Sequence, residues 1–323
     1  MQSEQLIKIH YRELCSQEPT IPIFLQDWWL DALCGEENWH VCLVENKGVV
    51  KAVMPYYRKQ RSIFTLLTQP SLTQFLGPWY RPSQKKYAKA IAEEKKLARQ
   101  LISQLPSFDY FTQNWHFSRT NWLAFYWQGF SQTTRYTYIL PDLSDEKMLW
   151  SGFLENIRTD IRKAEKRFSL RVRDDLDLSA FLELNRLTFV RQGKRMPYSE
   201  DLVRRLDDAC TSRNCRKFFI AEDPQGRYHA GVYIVWDKNS AYYLMGGGNP
   251  ELRNSGATSL CMWEAIKFAA TVTRQFDFEG SMIEPVERFF RAFGAIQTPY
   301  FSITKTNSRL LRLRQCLQSV FDK

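Results

Sequence analysis

Apolar positions alternate with polar ones in several short runs and recur at helical spacing in longer ones, and the order of these runs repeats. Residues 40–45 and 49–57 read as strands around Asn46-Lys47-Gly48, a hairpin turn. Residues 63–67 and 73–76 extend that sheet to Gly77-Pro78. A helical segment at 83–105 and a strand at 108–114 follow. Later, 217–222 and 228–236 flank a turn at Asp223-Pro-Gln-Gly226. Then come a strand at 241–245, the break Gly246-Gly247-Gly248-Asn249-Pro250, a helix from Arg253 to about Arg274 and a strand at 276–279. Hairpin, strand, Gly/Pro break, helix, strand thus occurs twice, which predicts a duplicated α/β unit.

The chain between the repeats is helical. Residues 145–168 place Trp150, Phe153, Ile157, Ile161, Ala164 and Phe168 on one stripe, with Asp142, Ser144 and Asp145 as candidate caps. The opposite face is basic: Arg158, Arg162, Lys163, Lys166 and Arg167. Such a face can meet RNA, although a charged helix is usually just solvated. Further helices are expected at 178–190 and 199–210, and Pro141 suggests domains of 1–140 and 141–323. Leu310, Leu313, Leu317 and Val320 line one face of a basic helix at 308–321. Packing back on the N-terminal domain and peripheral contact with a membrane surface are the two readings of it.

Composition narrows the class. A hydrophobic content of 44% with 25% charged residues describes a globular protein rather than a disordered one. The net charge of +10 is spread, with 16 Lys/Arg against 11 Asp/Glu in residues 1–140 and 29 against 24 in the rest. This balance suits an anionic ligand or RNA but does not require one. Seven scattered cysteines without a Cys-x-x-Cys fit a reducing compartment, and the four histidines have no metal-ligand spacing, so no metal is expected. The chain shows no signal-peptide layout and no apolar run long enough to span a bilayer. Cytoplasmic localisation is the expectation.

Candidate chemistry gathers in 243–291. A helix opening after glycine presents unpaired N–H groups suited to phosphate, so Gly246, Gly247, Gly248, Arg253, Gly256 and Ala257 are candidate donor-binding residues. The plain alternative is a turn that needs glycine only for its geometry. On the strand 276–279, alternation puts Asp277 and Glu279 on one face, towards a cleft or solvent, and Phe276 and Phe278 on the other. Glu279 is the first candidate for a general base and Asp277 the second, against a structural ion pair or hydrogen bond. Tyr243 is a candidate proton donor to a leaving group, or a core tyrosine. Arg288 and Arg291, three apart, could clamp a substrate phosphate or carboxylate. The loop Arg191-Gln-Gly-Lys-Arg195 could line an acceptor side.

Four segments in this order carry a resemblance: Asn156–Lys166, the strand-glycine-helix unit, Asp277-Phe-Glu-Gly-Ser281 and Glu287-Arg-Phe-Phe-Arg-Ala-Phe-Gly294. Over about 130–305 the sequence resembles GNAT-type acyltransferases related to FemABX, the aminoacyltransferases of peptidoglycan cross-bridge synthesis once labelled methicillin-resistance proteins. The resemblance implies an α/β fold of two tandem GNAT-like domains, each a mixed sheet flanked by helices. It also implies acyl-CoA as co-substrate, or aminoacyl-tRNA as the alternative donor. The family's diphosphate loop, Gln/Arg-x-x-Gly-x-Gly/Ala, is matched by Arg253 and Gly256 and missed at Thr258. Its Phe-Lys-x-Gly-Phe-Gly run is Phe289-Phe290-Arg291-Ala292-Phe293-Gly294 here, so Phe290 replaces the lysine and Arg291 stands next to it. The function so implied is transfer of an acetyl or aminoacyl group to an amine, as on a cell-envelope or polysaccharide precursor. The alternative is a catalytically degenerate GNAT fold that binds RNA, tRNA included, or a protein partner.

Overall fold

A computed structural model describes residues 2–321, with side chains described for 4–315. The chain divides into two compact units, 1–135 with 299–323, and 136–298. Both are mixed α/β. The division differs from a single cut after 140 because the chain returns: residues 302–306 of the strand Ile296–Thr306 pair antiparallel with 110–114 of the first unit.

The first unit opens with two helices that period-two reading passed over, α1 (Gln2–Gln17) and α2 (Asp27–Cys34). Arg12 ties them by donating to Asp27 at 2.8 Å and Asp31 at 2.7 Å. The hairpin of β1 (Trp39–Asn46) and β2 (Val49–Arg61) turns at Lys47 and Gly48. Their φ values, 52° and 73°, are those a two-residue hairpin requires. β3 (Phe64–Thr68) and β5 (Tyr110–Asn114) continue the sheet, running parallel. Residues 73–76 form no strand; only Leu76 bridges to Trp115, and the ladder resumes in the short β4 (Trp79–Tyr80), paired with β2. Gly77 causes the interruption: its φ is 96°, and a Cβ there would lie 2.4 Å from the Trp115 ring. Helix α3 (Tyr87–Ser103) buries Ala98 and Leu101 in a core with Phe111, Trp115, Ile303 and Phe125, the last on the short α4 (Leu123–Tyr126).

The second unit is built on β6 (Ser131–Leu140, of which 136–140 belong here), β7 (Arg171–Arg173), β8 (Arg216–Glu222), β9 (Tyr228–Trp236), β10 (Ala241–Gly248) and β11 (Phe276–Asp277). Its strand order is β6-β11-β10-β9-β8-β7. The stripe expected as one helix over 145–168 is two, α5 (Glu146–Gly152) and α6 (Glu155–Lys166). Phe153 and Leu154 are extended between them. The break lets Phe153 enter the core against Trp263 and Phe293, both at 5.1 Å between ring centres. Of the three cap candidates Asp145 performs the task, accepting from the N–H groups of Lys147 and Met148. The basic face of α6 is partly neutralised by its own acids: Arg158 and Arg162 pair with Glu155 and Lys163 pairs with Asp160.

Helices α7 (Leu178–Arg191) and α8 (Glu200–Thr211) match the two expected helices, and α9 (Ala257–Val272) follows a single 3-10 turn at Arg253–Ser255. α10 (Glu284–Arg291) lies beyond β11. The basic α11 (Arg309–Phe321) belongs to the first unit. Asn307, just before it, donates to the carbonyls of Asp109 and Phe108; Leu317 and Val320 lie outside the described side chains.

Candidate functional site

β10 and β11 are parallel neighbours that share only two paired positions, Ala241 with Phe276 and Tyr242 with Asp277. Past these they part. β10 has an irregular register between Tyr243 and Met245, and β11 ends at Asp277. Residues 243, 278 and 279 directly follow these last paired positions.

Phe276 and Phe278 share a face as expected, with ring centres 4.9 Å apart, but the carboxylates do not face a cleft or solvent. Phe276, Asp277, Phe278 and Glu279 are all buried, so neither carboxylate faces solvent. β11 is an interior strand between β6 and β10, and beyond it the chain turns sharply: Glu279 has φ +59° and Gly280 +61°, two left-handed residues in succession that end the strand. Gly280 allows this because a Cβ there would sit 2.0 Å from the Tyr136 carbonyl oxygen. For a glutamate the left-handed conformation costs about 1 kcal/mol, and such strain is concentrated at functional sites.

Asp277 holds this bend. One carboxylate oxygen accepts from the Glu279 N–H at 2.7 Å and from the Thr137 hydroxyl. Burial raises its pKa to about 6 in spite of these hydrogen bonds. The two acids therefore have different tasks: Asp277 shapes the backbone on which Glu279 is presented.

Tyr243 contributes a neutral hydroxyl. Burial pushes its pKa up, and Tyr198 and Glu279 nearby act in the same direction. The hydroxyl arches over Gly246, where a Cβ would lie 1.9 Å from the oxygen. Phe290 packs edge-on against the Tyr243 ring at 5.7 Å and lies 5.2 Å from Phe278. The position of the family's lysine is thus part of an aromatic wall. Arg291 is half-exposed and donates to Glu287 at 2.8 Å; Glu287 also accepts from the Tyr138 hydroxyl. Arg288 is exposed and donates to Glu284 at 2.6 Å. The two arginines are thus engaged by acids one helical turn away rather than jointly open to a ligand.

The glycine run serves a different purpose from the one its sequence suggested. Gly246, Gly247 and Gly248 lie inside β10, paired with Val232, Gly231 and Ala230. Helix α7 packs so closely there that a Cβ on Gly247 would be 2.4 Å from the Asn185 nitrogen. Asn185 donates to the Gly246 carbonyl at 2.8 Å and accepts from the Tyr198 hydroxyl at 3.1 Å, while the Gly248 N–H donates to Thr188 at 3.0 Å. Gly247 and Gly248 are therefore packing and ladder residues with no open phosphate face. Asn185, Thr188, Tyr198 and Thr137 were not singled out from sequence. A lone asparagine on the inner stripe of α7 was the available signal.

The anion-receptive feature is instead the N-terminus of α9. Gly256 has φ +80°, and a Cβ there would be 2.2 Å from the Asp160 carbonyl oxygen, so α6 passes directly beneath. No side chain caps the helix, and its first backbone bond runs from the Leu260 N–H to the Gly256 carbonyl. This leaves the N–H groups of Ala257, Thr258 and Ser259 without intrahelical acceptors. Ser255 is 1% exposed and its hydroxyl has no hydrogen-bond partner, while the Arg253 side chain is exposed. A helix terminus, an unsatisfied buried hydroxyl and a nearby cation fit a diphosphate.

Residues 151–289 match the family model of the acetyltransferase (GNAT) domain. The matched residues make up most of the second unit. The chain has 15% identity to FemX with a TM-score of 0.66, over 91% of this chain and 95% of that one. A conserved protein of unknown function from Bacteroides thetaiotaomicron superposes with a TM-score of 0.57 at 10% identity, covering 93% of this chain and 97% of that one. A tandem GNAT protein from the clavulanic acid biosynthesis pathway gives 0.50 at 13% identity, covering 84% and 83%. Compared with curated proteins, the sequence has no match. The likenesses place the fold as two tandem GNAT-like domains. Within the matched residues, β10 and β11 are the parting pair and α9 is the helix that follows the first of them. Among the described residues, no group of three His, Cys, Asp or Glu could hold a metal, and no helix is long and apolar enough to cross a membrane.

Proposed function

We propose that the protein is an N-acyltransferase that moves an acyl group from acyl-CoA to an amine, with its reaction centre at the parting of β10 and β11. The observation that carries this reading is Glu279: a buried carboxylate, in a left-handed conformation, bent into place by Asp277 beside the neutral Tyr243. An amine must lose a proton to attack a carbonyl carbon, and Glu279 is the group placed to accept it. When the carbon–sulfur bond breaks, the Tyr243 hydroxyl supplies a proton to the departing sulfur. Acyl-CoA, when bound, provides the activated thioester; the N-terminus of α9 with Ser255 and Arg253 would hold its diphosphate.

Phe290 supports CoA over aminoacyl-tRNA as donor. The resemblance attaches a lysine at that position to the tRNA-dependent chemistry, and here an apolar ring closes the wall. The acceptor proposed is an amine of a cell-envelope or polysaccharide precursor, by analogy with the FemABX-like proteins, at an intracellular site of action. Titration calorimetry with acetyl-CoA tests the donor. Micromolar binding that weakens at least tenfold in Arg253→Ala is expected, and no heat up to millimolar acetyl-CoA would refute it. With the acceptor in hand, Glu279→Gln should lower kcat about 10²–10⁴-fold with an unchanged circular dichroism spectrum. Near-normal turnover removes the base assignment.

The same Phe290 packing favours a second reading, a GNAT fold that has lost its chemistry and binds RNA or a protein. Salt-sensitive RNA binding without transfer from any donor would select it.

A further inference from the structure

The first unit has a cleft of its own. It is lined by β4, the loop of residues 81–86, the inner face of α3 and the turn that carries Arg119, and encloses about 750 Å³. This size is ordinary for a small-molecule site. Three of its side chains are poorly satisfied by the protein itself. Tyr80 is 6% exposed, and its hydroxyl is buried without a hydrogen-bond partner. Arg119 lies over the Tyr80 ring at 5.8 Å, and burial lowers its pKa despite the nearby Glu94. Among the described residues neither Arg119 nor Lys51 forms an ion pair. The other cations of the cleft are committed, Arg81 to Glu18 and Lys85 to Glu93. Glu94 itself accepts from the Asn121 amide at 3.1 Å.

A half-buried guanidinium that forms no ion pair among the described residues, beside a buried hydroxyl without an acceptor, is an arrangement that a ligand oxyanion completes. Carboxylate and phosphate both offer oxygens to arginine. Three separate donors, on Tyr80, Arg119 and Lys51, suit a tetrahedral group with three free oxygens better than a planar one with two. We infer that this cleft binds a phosphorylated small molecule, its phosphate held by Arg119, Lys51 and the Tyr80 hydroxyl. The site is separate from the acyltransfer site proposed in the second unit and does not depend on it.

Calorimetry of the full chain with inorganic phosphate, at low ionic strength and with acetate as the control anion, tests this. Millimolar phosphate binding is expected, weakened at least tenfold in Arg119→Gln and about threefold or more in Tyr80→Phe. The second variant keeps the ring and removes only the hydroxyl, so it serves even if Arg119→Gln folds poorly. Phosphate binding unchanged in both variants, or absent up to 50 mM, overturns the site. Acetate binding as tight as phosphate overturns the phosphate assignment. Loss of acetyl-CoA binding in either variant, with phosphate binding intact, would likewise contradict the separation of the two sites.

Discussion

Asp277→Asn isolates the electrostatic cost of shaping the site. The carboxylate is 3% exposed, and burial raises its pKa from 3.8 to about 6. Below pH 3.8 it is protonated in both folded and unfolded chains. Between 3.8 and about 6 the folded chain holds the proton more tightly, so the stability linked to this proton is fully present at low pH and is lost as pH rises through about 6. At 1.36 kcal/mol per pH unit the loss is about 3 kcal/mol. No reduction for solvent screening applies, because the group is inside the protein. Asparagine keeps an oxygen that can accept from the Glu279 N–H and the Thr137 hydroxyl but has no charge to desolvate. The stability of Asp277→Asn relative to the native protein should therefore shift by about 2.4 kcal/mol in the variant's favour between pH 4 and pH 7, part of the loss having occurred below pH 4. In thermal unfolding of a unit this size the shift is roughly 5–10 °C. Urea unfolding at pH 4, 5, 6 and 7, followed by near-ultraviolet circular dichroism, measures it. The readout is the slope with pH, because the amide alters packing by an amount that is constant across the series. A difference that does not change with pH would refute the account of Asp277 as a buried, reluctantly charged group.

Gly256→Ala should cost about 3 kcal/mol or more, since alanine would be both left-handed and 2.2 Å from the Asp160 carbonyl; urea unfolding measures it. Arg291→Ala removes a half-exposed pair with Glu287 and should leave the urea unfolding midpoint nearly unchanged. If Arg291 also holds substrate, as proposed from its spacing to Arg288, the same variant raises KM in steady-state assays without lowering kcat. Cys34, whose pKa burial pushes to about 12, should react with a disulfide reagent at pH 8 at least about a hundredfold slower than free cysteine. Rapid labelling of Cys34 in the folded chain would contradict the raised pKa of this half-buried thiol.

Local rules carried far where the chain is regular. The turn chemistry of Lys47-Gly48 and the spacing in α7, α8 and α9 follow from backbone sterics and hydrophobic periodicity acting over a few residues. They were readable for that reason, as was the doubled order of strand, break and helix. Residues 296–306 escaped notice because their strand is defined by its partner at 110–114, nearly two hundred positions away. The expected helix over 145–168 failed at Phe153, where burial against Trp263 and Phe293 outweighs two residues of helix.

The site shows the same divide. Sequence alone named Glu279, Asp277 and Tyr243 as candidates on adjoining strands, and Gly256 among the candidates for meeting an anion. Only the tertiary structure separated their tasks. Gly247 is a glycine because α7 lies against it, and Gly256 because α6 does. Asp277 is a hydrogen-bond acceptor because the chain bends back on it at Glu279. A residue's type and its neighbours in sequence determine what chemistry it can offer. Which backbone passes within 3 Å of it, and whether water reaches it, is decided by contacts distant in the chain.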